Sequence, residues 1–241
     1  MRAALFALVA CLAFGCGGPT APSPAMVVTV LPGTDLLAIG STETYSAFAV
    51  RSNGNGTPAA AIWTTDAPAV ATVSSQGLVS AISAGVATIT ATFEGVSGRR
   101  ALRVLPSYAG SWAGAYRTTA CSGNRCTFQY AVGATSGIVA VFLTQLRDQV
   151  SGFLVLDSMM MPVSGSISNS GDLSLTGEWR PSSPTEVRAR VENWTSTLDA
   201  GRAMTGRFTH LYPDSSQPFP TAPLTDRVDS ELLNVRPIGP P

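Results

Sequence analysis

The chain has 241 residues, in which 15 carboxylates balance 15 arginines; lysine is absent, there is one histidine and there are four cysteines. A formal charge of zero argues against an electrostatic partner: nucleic acid requires a basic face and a polybasic membrane segment requires lysine or arginine clusters, and the sequence shows neither. Charged residues make up 12% of the chain, about half the usual globular share. Ser, Thr, Gly, Ala and Val dominate between turn signals, a composition that suits stacked β-sheets and not a helical enzyme.

Residues 1–15 read as an export leader. Arg2 supplies the positive start, and Ala3 to Phe14 form an apolar run shorter than the roughly 20 residues of a permanent span. Its end, Leu12-Ala13-Phe14-Gly15-Cys16, resembles a bacterial lipobox, in which a small residue precedes a cysteine that is lipidated and becomes the mature N-terminus. Ala13 stands where leucine is usual. Leu8-Val9-Ala10-Cys11 fits that pattern better, but it leaves an apolar core of only a few residues. Cys16 is therefore the expected lipid attachment, with Cys11 as the alternative; the plain reading is a secretory signal with a chance cysteine. Residues 16–25, including Gly17-Gly18-Pro19-Thr20-Ala21-Pro22-Ser23-Pro24, read as a flexible tether.

Cys121 and Cys126 are left as the pair in the folded body, and an oxidising compartment is expected to join them. The loop is small, so the bridge contributes about 2 kcal/mol by loop entropy. Redox pairs usually enclose two residues, not four, and a zinc site needs four ligands. No metal and no cofactor is expected.

Residues 26–105 form a first module of short Val, Ile, Thr and Ala runs. They are separated by turns at Pro32-Gly33, Asn53-Gly54-Asn55-Gly56, Ser75-Gln76-Gly77 and Glu94-Gly95, the pattern of a β-sandwich. In Val86 to Phe93, Ala87, Ile89, Ala91 and Phe93 share one face and Thr88, Thr90 and Thr92 the other. Leu102 and Val104 repeat that alternation, with Arg103 between them facing out.

Three segments of this module carry a resemblance: Trp63-Thr64-Thr65-Asp66-Ala67-Pro68-Ala69-Val70-Ala71-Thr72-Val73, Gly77-Leu78-Val79-Ser80-Ala81, and Ala84-Gly85-Val86-Ala87-Thr88-Ile89-Thr90-Ala91. In this order and spacing they resemble the bacterial Ig-like domain of group 2, found in intimin- and invasin-type surface proteins. The resemblance implies an extracytoplasmic spacer or adhesive module without catalysis. In it Trp63 is expected as the large central core residue, and Gly77 and Gly85 at turns costly for a residue with a β-carbon.

After a boundary at Pro106-Ser107, residues 107–241 form a second module. Val150-Ser151-Gly152, Val163-Ser164-Gly165, Leu175-Thr176-Gly177 and Met204-Thr205-Gly206 repeat apolar, hydroxyl, glycine, with glycines 13, 12 and 29 residues apart. One strand and one turn per unit predict strands near 110–118, 126–133, 137–146, 149–157, 162–168, 172–180, 185–198 and 202–211, with a closing segment at 227–235. The count points to an up-and-down antiparallel barrel. The fold class is thus all-β, an Ig-like sandwich followed by a barrel. Gly110-Ser111-Trp112-Ala113-Gly114-Ala115-Tyr116 resembles the first strand of calycin barrels, the lipocalin and avidin group. That resemblance implies a late-strand arginine, Arg227 or Arg236, packed against Trp112.

In strand 185–198 the residues Glu186, Arg188, Arg190, Glu192 and Trp194 alternate with Val187, Ala189 and Val191. One reading points the charges to solvent and the valines inward. The other lines a ligand cavity with Trp179, Arg188, Arg190 and Trp194, suited to an anionic or aromatic ligand. Met159-Met160-Met161 is expected at a hairpin tip, as loop packing or as a soft Cu(I) ligand set. Asn55-Gly56-Thr57 and Asn193-Trp194-Thr195 match glycosylation sequons without weight in a bacterial chain. His210 is expected as a surface histidine near a strand end. Catalysis has little to work with beyond paired carboxylates such as Asp157 and Glu178, and the chain is expected not to be an enzyme. Prolines after Tyr212 predict a long exposed loop.

These features predict a lipid-anchored cell-envelope protein whose Ig-like module holds a barrel out for contact with another surface protein or a polysaccharide. The alternative is a carrier with a small ligand inside the barrel. Expected partners are a membrane, through the lipid anchor, and no nucleic acid; the oligomeric state is open.

Overall fold

The computed structural model describes residues 26–31, 35–52, 54, 56–127, 130–181, 187–214 and 223–239. The leader, the tether, Cys11, Cys16, Asn55 and Glu186 lie outside the described residues, as do residues 215–222 of the proline-rich loop.

The N-terminal module is a set of short sheets around one core. Strands β1 (Met26–Leu31), β4 (Ser46–Arg51) and β5 (Gly56–Ala59) form one sheet in the order β1-β4-β5. A second sheet has the order β2-β10-β9-β6, from β2 (Leu36–Ala38), β10 (Val96–Leu105), β9 (Gly85–Phe93) and β6 (Ile62–Thr65). Strands β3 (Thr42–Thr44), β8 (Leu78–Ala81) and β7 (Ala71–Val73) make a third, in the order β3-β8-β7. The period-two pattern of β9 sends Ala87, Ile89 and Ala91 into the core, and Leu102 and Val104 of β10 join them. Trp63 departs from its expected place. It lies on β6, the edge strand of its sheet, so it is half-buried against the core, and Tyr45 is the large side chain fully enclosed. Gly77 has φ +82° and a β-carbon there would run into the Tyr45 carbonyl, which explains the glycine.

The C-terminal module is a closed barrel of eight strands. In order they are β11 (Gly110–Ser122), β12 (Thr135–Leu146), β13 (Gln149–Leu156), β14 (Met159–Ile167), β15 (Leu173–Trp179), β16 (Ala189–Leu198), β17 (Met204–Pro213) and β18 (Leu224–Pro237). Each pairs antiparallel with the next, and β18 closes onto β11. The expected strand at 126–133 is absent among the described residues: Asn124–Thr127 is a 3-10 turn, pinned by the Cys121–Cys126 disulfide. The segment read as a possible closing piece is the eighth strand. The apolar-hydroxyl-glycine triplets are strand segments with Val150, Val163, Leu175 and Met204 buried and the hydroxyls outside. A β-carbon on Gly152, Gly165, Gly177 or Gly206 would strike the backbone of a neighbouring strand. The triplet glycines therefore mark where the wall coils most tightly.

The joint between the modules is short and packed. Leu105, at the end of β10, is buried in the barrel core, and Leu36 packs on the same cluster. Gln145 accepts from the Tyr108 amide at 2.8 Å and donates to the Pro106 carbonyl at 3.1 Å, while Arg103 donates to the Asn169 carbonyl at 3.1 Å. The Tyr108 hydroxyl lies 2.9 Å from the Gly171 carbonyl and 3.0 Å from that of Ser196, and the Trp112 indole donates to the Tyr108 carbonyl at 2.9 Å. Burial lifts the Tyr108 hydroxyl to a pKa of about 12, so it stays a neutral donor.

Candidate functional site

The barrel interior is filled with rings. Trp194 stacks on Phe208 at 5.0 Å between centroids, Phe208 meets Tyr116 edge-on at 5.6 Å, and His210 touches Tyr116, Tyr130, Phe208 and Tyr212 at 5.1–5.6 Å. His210 is thus a core residue, only 1% exposed, and not the surface histidine expected. Its position on β17 between Phe208 and Tyr212 gives the reason, since all three alternate onto the inner face. The ring is satisfied internally: Nδ1 lies 3.0 Å from the Tyr212 hydroxyl and Nε2 3.1 Å from that of Ser230. The Tyr212 hydroxyl in turn lies 2.6 Å from that of Tyr130. Burial lowers the His210 pKa to about 4 against a small opposing pull from Asp229, so the imidazole is neutral at pH 7. Burial also raises Tyr116, Tyr130 and Tyr212, which remain protonated.

The proposed cavity quartet is divided by a β-bulge. Asn193 has φ +51° and the β16–β17 register shifts between Glu192 and Thr195. Ala189 and Val191 point inward and Arg190 and Glu192 outward; the bulge then resets the alternation, and Trp194 turns into the core. The charges-out reading of this strand holds. Trp194 is 1% exposed and donates to Ser196 Oγ at 3.0 Å, so it faces no free space. Arg188 is half-buried just before β16, where its amide donates to the Trp179 carbonyl at 2.9 Å.

Trp179 and Arg190 do come together, on the outside. They line an open groove of about 840 Å³ across β14, β15 and β16, with Met160, Pro162, Thr176, Glu178 and Arg180. Glu178 is its electrostatic centre. Arg190 donates to Glu178 Oε1 through Nε at 3.0 Å and Nη2 at 2.9 Å, and Arg180 pairs with Oε2. The hydrogen bond from Arg180, then that from Arg190, holds the carboxyl below the usual range despite partial desolvation. Arg190, held on this carboxylate beside a half-buried indole, suits the groove to an anionic or hydroxyl-rich ligand. Glu178 is thereby tied to arginines. Asp157, at the β13–β14 turn, accepts from the Tyr116 hydroxyl at 2.8 Å and from the Ile138 amide at 3.1 Å.

Two further expectations are corrected. The arginine over the Trp112 ring is Arg202, 5.7 Å from the ring centroid, in the β16–β17 turn; Arg227 pairs with Asp229 instead, and Arg236 is exposed. The methionine run is not a hairpin tip: Met159, Met160 and Met161 begin β14, with Met161 in the core and Met160 outside. Strand alternation thus sends Met160 to the face opposite Met159 and Met161, and no group of three or more His, Cys, Asp and Glu is placed to hold a metal among the described residues. The disulfide loop also carries a contact that sequence reading missed. Arg125 lies 4.7 Å over the Tyr212 ring and 3.9 Å from the buried Asp226 carboxylate. The one cue was its place between the two cysteines.

No helix among the described residues is long and apolar enough to cross a membrane. No curated protein matches the sequence. Among solved structures, domains 5-6 of the S-layer protein SbsC match with a TM-score of 0.31 and 14% identity, over 86% of this chain and 97% of that one. The S-layer protein rSbsC(31-844) matches with a TM-score of 0.30 and 10% identity, over 83% of this chain and 39% of that one. Residues 27–103 match the bacterial Ig-like domain (group 2).

Proposed function

We propose that this chain is a non-enzymatic surface protein of the bacterial cell envelope, in which an Ig-like sandwich carries a solid barrel whose outer wall binds another macromolecule or a polysaccharide. A lipid on Cys16, or alternatively on Cys11, fastens the chain to the membrane. The observation that carries the reading is the barrel itself: its interior is occupied by Trp112, Trp194, Tyr116, Tyr130 and Phe208, while the groove lined by Trp179, Glu178 and Arg190 opens outward. A carrier needs an enclosed apolar cavity, and these rings take up that space. The Ig-like match over residues 27–103 and the disulfide in the second module agree with export.

Two measurements test it. Cells expressing the full chain are fed an alkyne fatty acid; labelling is expected and is lost in Cys16→Ala, whereas loss only in Cys11→Ala moves the anchor and no labelling at all removes it. Binding of the full chain to immobilised acidic and neutral polysaccharides is expected to fall about tenfold in Arg190→Ala, the loss of one charge-assisted pair of contacts. Equal binding by that variant would place the contact elsewhere.

A further inference from the structure

Strand β11 leaves the joint at Gly110 and ends at Ser122, so the Cys121–Cys126 disulfide closes its loop at the opposite end of the barrel, beside the first residues of β18. Ser122, Gly123 and Asn124 are exposed, and beneath them lies Asp226. The Asn124 amide donates to Asp226 Oδ1 at 3.4 Å, and the Asn124 side chain donates to Asp214 Oδ1 at 3.4 Å. Gly123 has φ +106° and a β-carbon there would run into the Asp226 carboxylate, so the loop sits directly upon it. Asp226 is 2% exposed, and its Oδ2 accepts no hydrogen bond among the described residues. Arg125 Nε faces that oxygen from 3.9 Å, and the same guanidinium lies 4.7 Å over the ring of Tyr212, the register partner of Asp226 on β17. Tyr212 in turn stacks on Tyr130 at 5.7 Å and meets His210 at 5.4 Å. Arg125 is therefore a counter-ion set at the entrance to the ring core, and it is the residue next to Cys126.

We infer that the Cys121–Cys126 disulfide is a redox latch: closed, it holds Arg125 on Asp226 and Tyr212, and its reduction releases Arg125 and opens this end of the barrel. The reductant is a dithiol. Its thiolate attacks the sulfur of Cys126, which is half-buried, whereas Cys121 also packs against the barrel core; the Cys121 sulfur leaves as a thiolate and takes a proton. The second thiol then displaces Cys126 from the mixed disulfide. Two protein thiols and one oxidised dithiol result, with two electrons and two protons transferred. The loop, no longer closed, gains conformational freedom, and each excursion of Arg125 leaves a buried carboxylate without its counter-ion. Such a group takes up water sooner than it stays dry, and the strand ends that carry it part. The opening is confined to the residues under the loop, Tyr212 on β17 and Asp226 and Val228 on β18. This inference goes beyond the proposed function and does not rest on it, because it concerns neither the Trp179–Arg190 groove nor the lipid anchor.

The test is hydrogen exchange of the full chain, read by mass spectrometry before and after treatment with dithiothreitol. Reduction is expected to speed exchange in 208–212 and 225–230 by about tenfold more than in 150–156 and 160–166 on the opposite wall. Arg125→Ala gives the same local pattern with the disulfide intact, and Arg125→Lys, which keeps a cation over the ring, does not. Asp226→Asn removes the buried charge, and with it the local excess on reduction. Far-ultraviolet dichroism shows whether Arg125→Ala is folded; where it is not, the native chain against Asp226→Asn decides. A rise equal over the whole barrel makes the bridge a plain staple and overturns the inference. So does a local excess that persists in Asp226→Asn, the absence of any rise, or a bridge that dithiothreitol leaves intact.

Discussion

The two cores of this molecule are built from different materials. The sandwich interior is largely alanine and valine, with Ala47, Ala71, Ala81, Ala87, Ala91, Val79 and Val104 buried, whereas the barrel interior adds Trp112, Trp194, Tyr116, Tyr130, Phe208 and Tyr212 to its valines and leucines. Open sheets can approach until small side chains fill the gap between them. A closed sheet cannot, since strand number and stagger fix its radius, and large rings must fill what closure encloses. The largest single-residue contributions are therefore expected from the rings of the barrel, which stand among its valines and leucines.

That contrast is sharpest at single core positions. Trp194→Ala is expected to cost about 3–5 kcal/mol, read as a drop in the denaturation midpoint of the full chain followed by barrel signals such as tyrosine fluorescence. A loss below about 1 kcal/mol would mean that the rings do not carry the barrel. The next effect is acid sensitivity, specific to the barrel because His210 is the chain's only histidine. Its folded pKa of about 4 lies below the ordinary value of 6.5. Between those values the unfolded chain binds a proton that the folded chain refuses. Stability is therefore complete above pH 6.5 and falls as the pH drops toward 4, by about 3 kcal/mol. Melting curves across this range should show the decline in the native chain and a flatter profile in His210→Gln.

Reducing the Cys121–Cys126 bridge, or the Cys121→Ser, Cys126→Ser double variant, should cost about 2 kcal/mol. Loss of the Arg125–Tyr212 contact should accompany it, visible as a change in near-ultraviolet dichroism. The smallest effect belongs to the sandwich: Ile89→Val should lose only about 0.5–1.5 kcal/mol by chemical denaturation. A loss as large as that of Trp194→Ala would erase the comparison between the cores.

Two walls of the barrel repeat the lesson at its surface. Strands β12–β14 carry no charge, while β15–β18 carry Glu178, Arg190, Glu192, Arg207, Arg227, Asp229 and Glu231. The absence of charge could be read along the chain. That these three strands stand side by side, with Phe142 and Phe153 as outward neighbours, follows only from their register.

Local chemistry was enough for much of the architecture. The period-two pattern of β9 assigned its faces, the triplets marked the strands β13, β14, β15 and β17, and the two cysteines of the second module are joined. These features are short-range, so composition and spacing determine them. What needed the tertiary structure was everything set by neighbours distant in the chain. Trp63 is half-buried because β6 is an edge strand, Trp194 turns inward because one bulge at Asn193 reverses the alternation, and His210 is enclosed because β11, β17 and β18 converge on it. The sequence determined which residues alternate; closure of the barrel decided which side was inside.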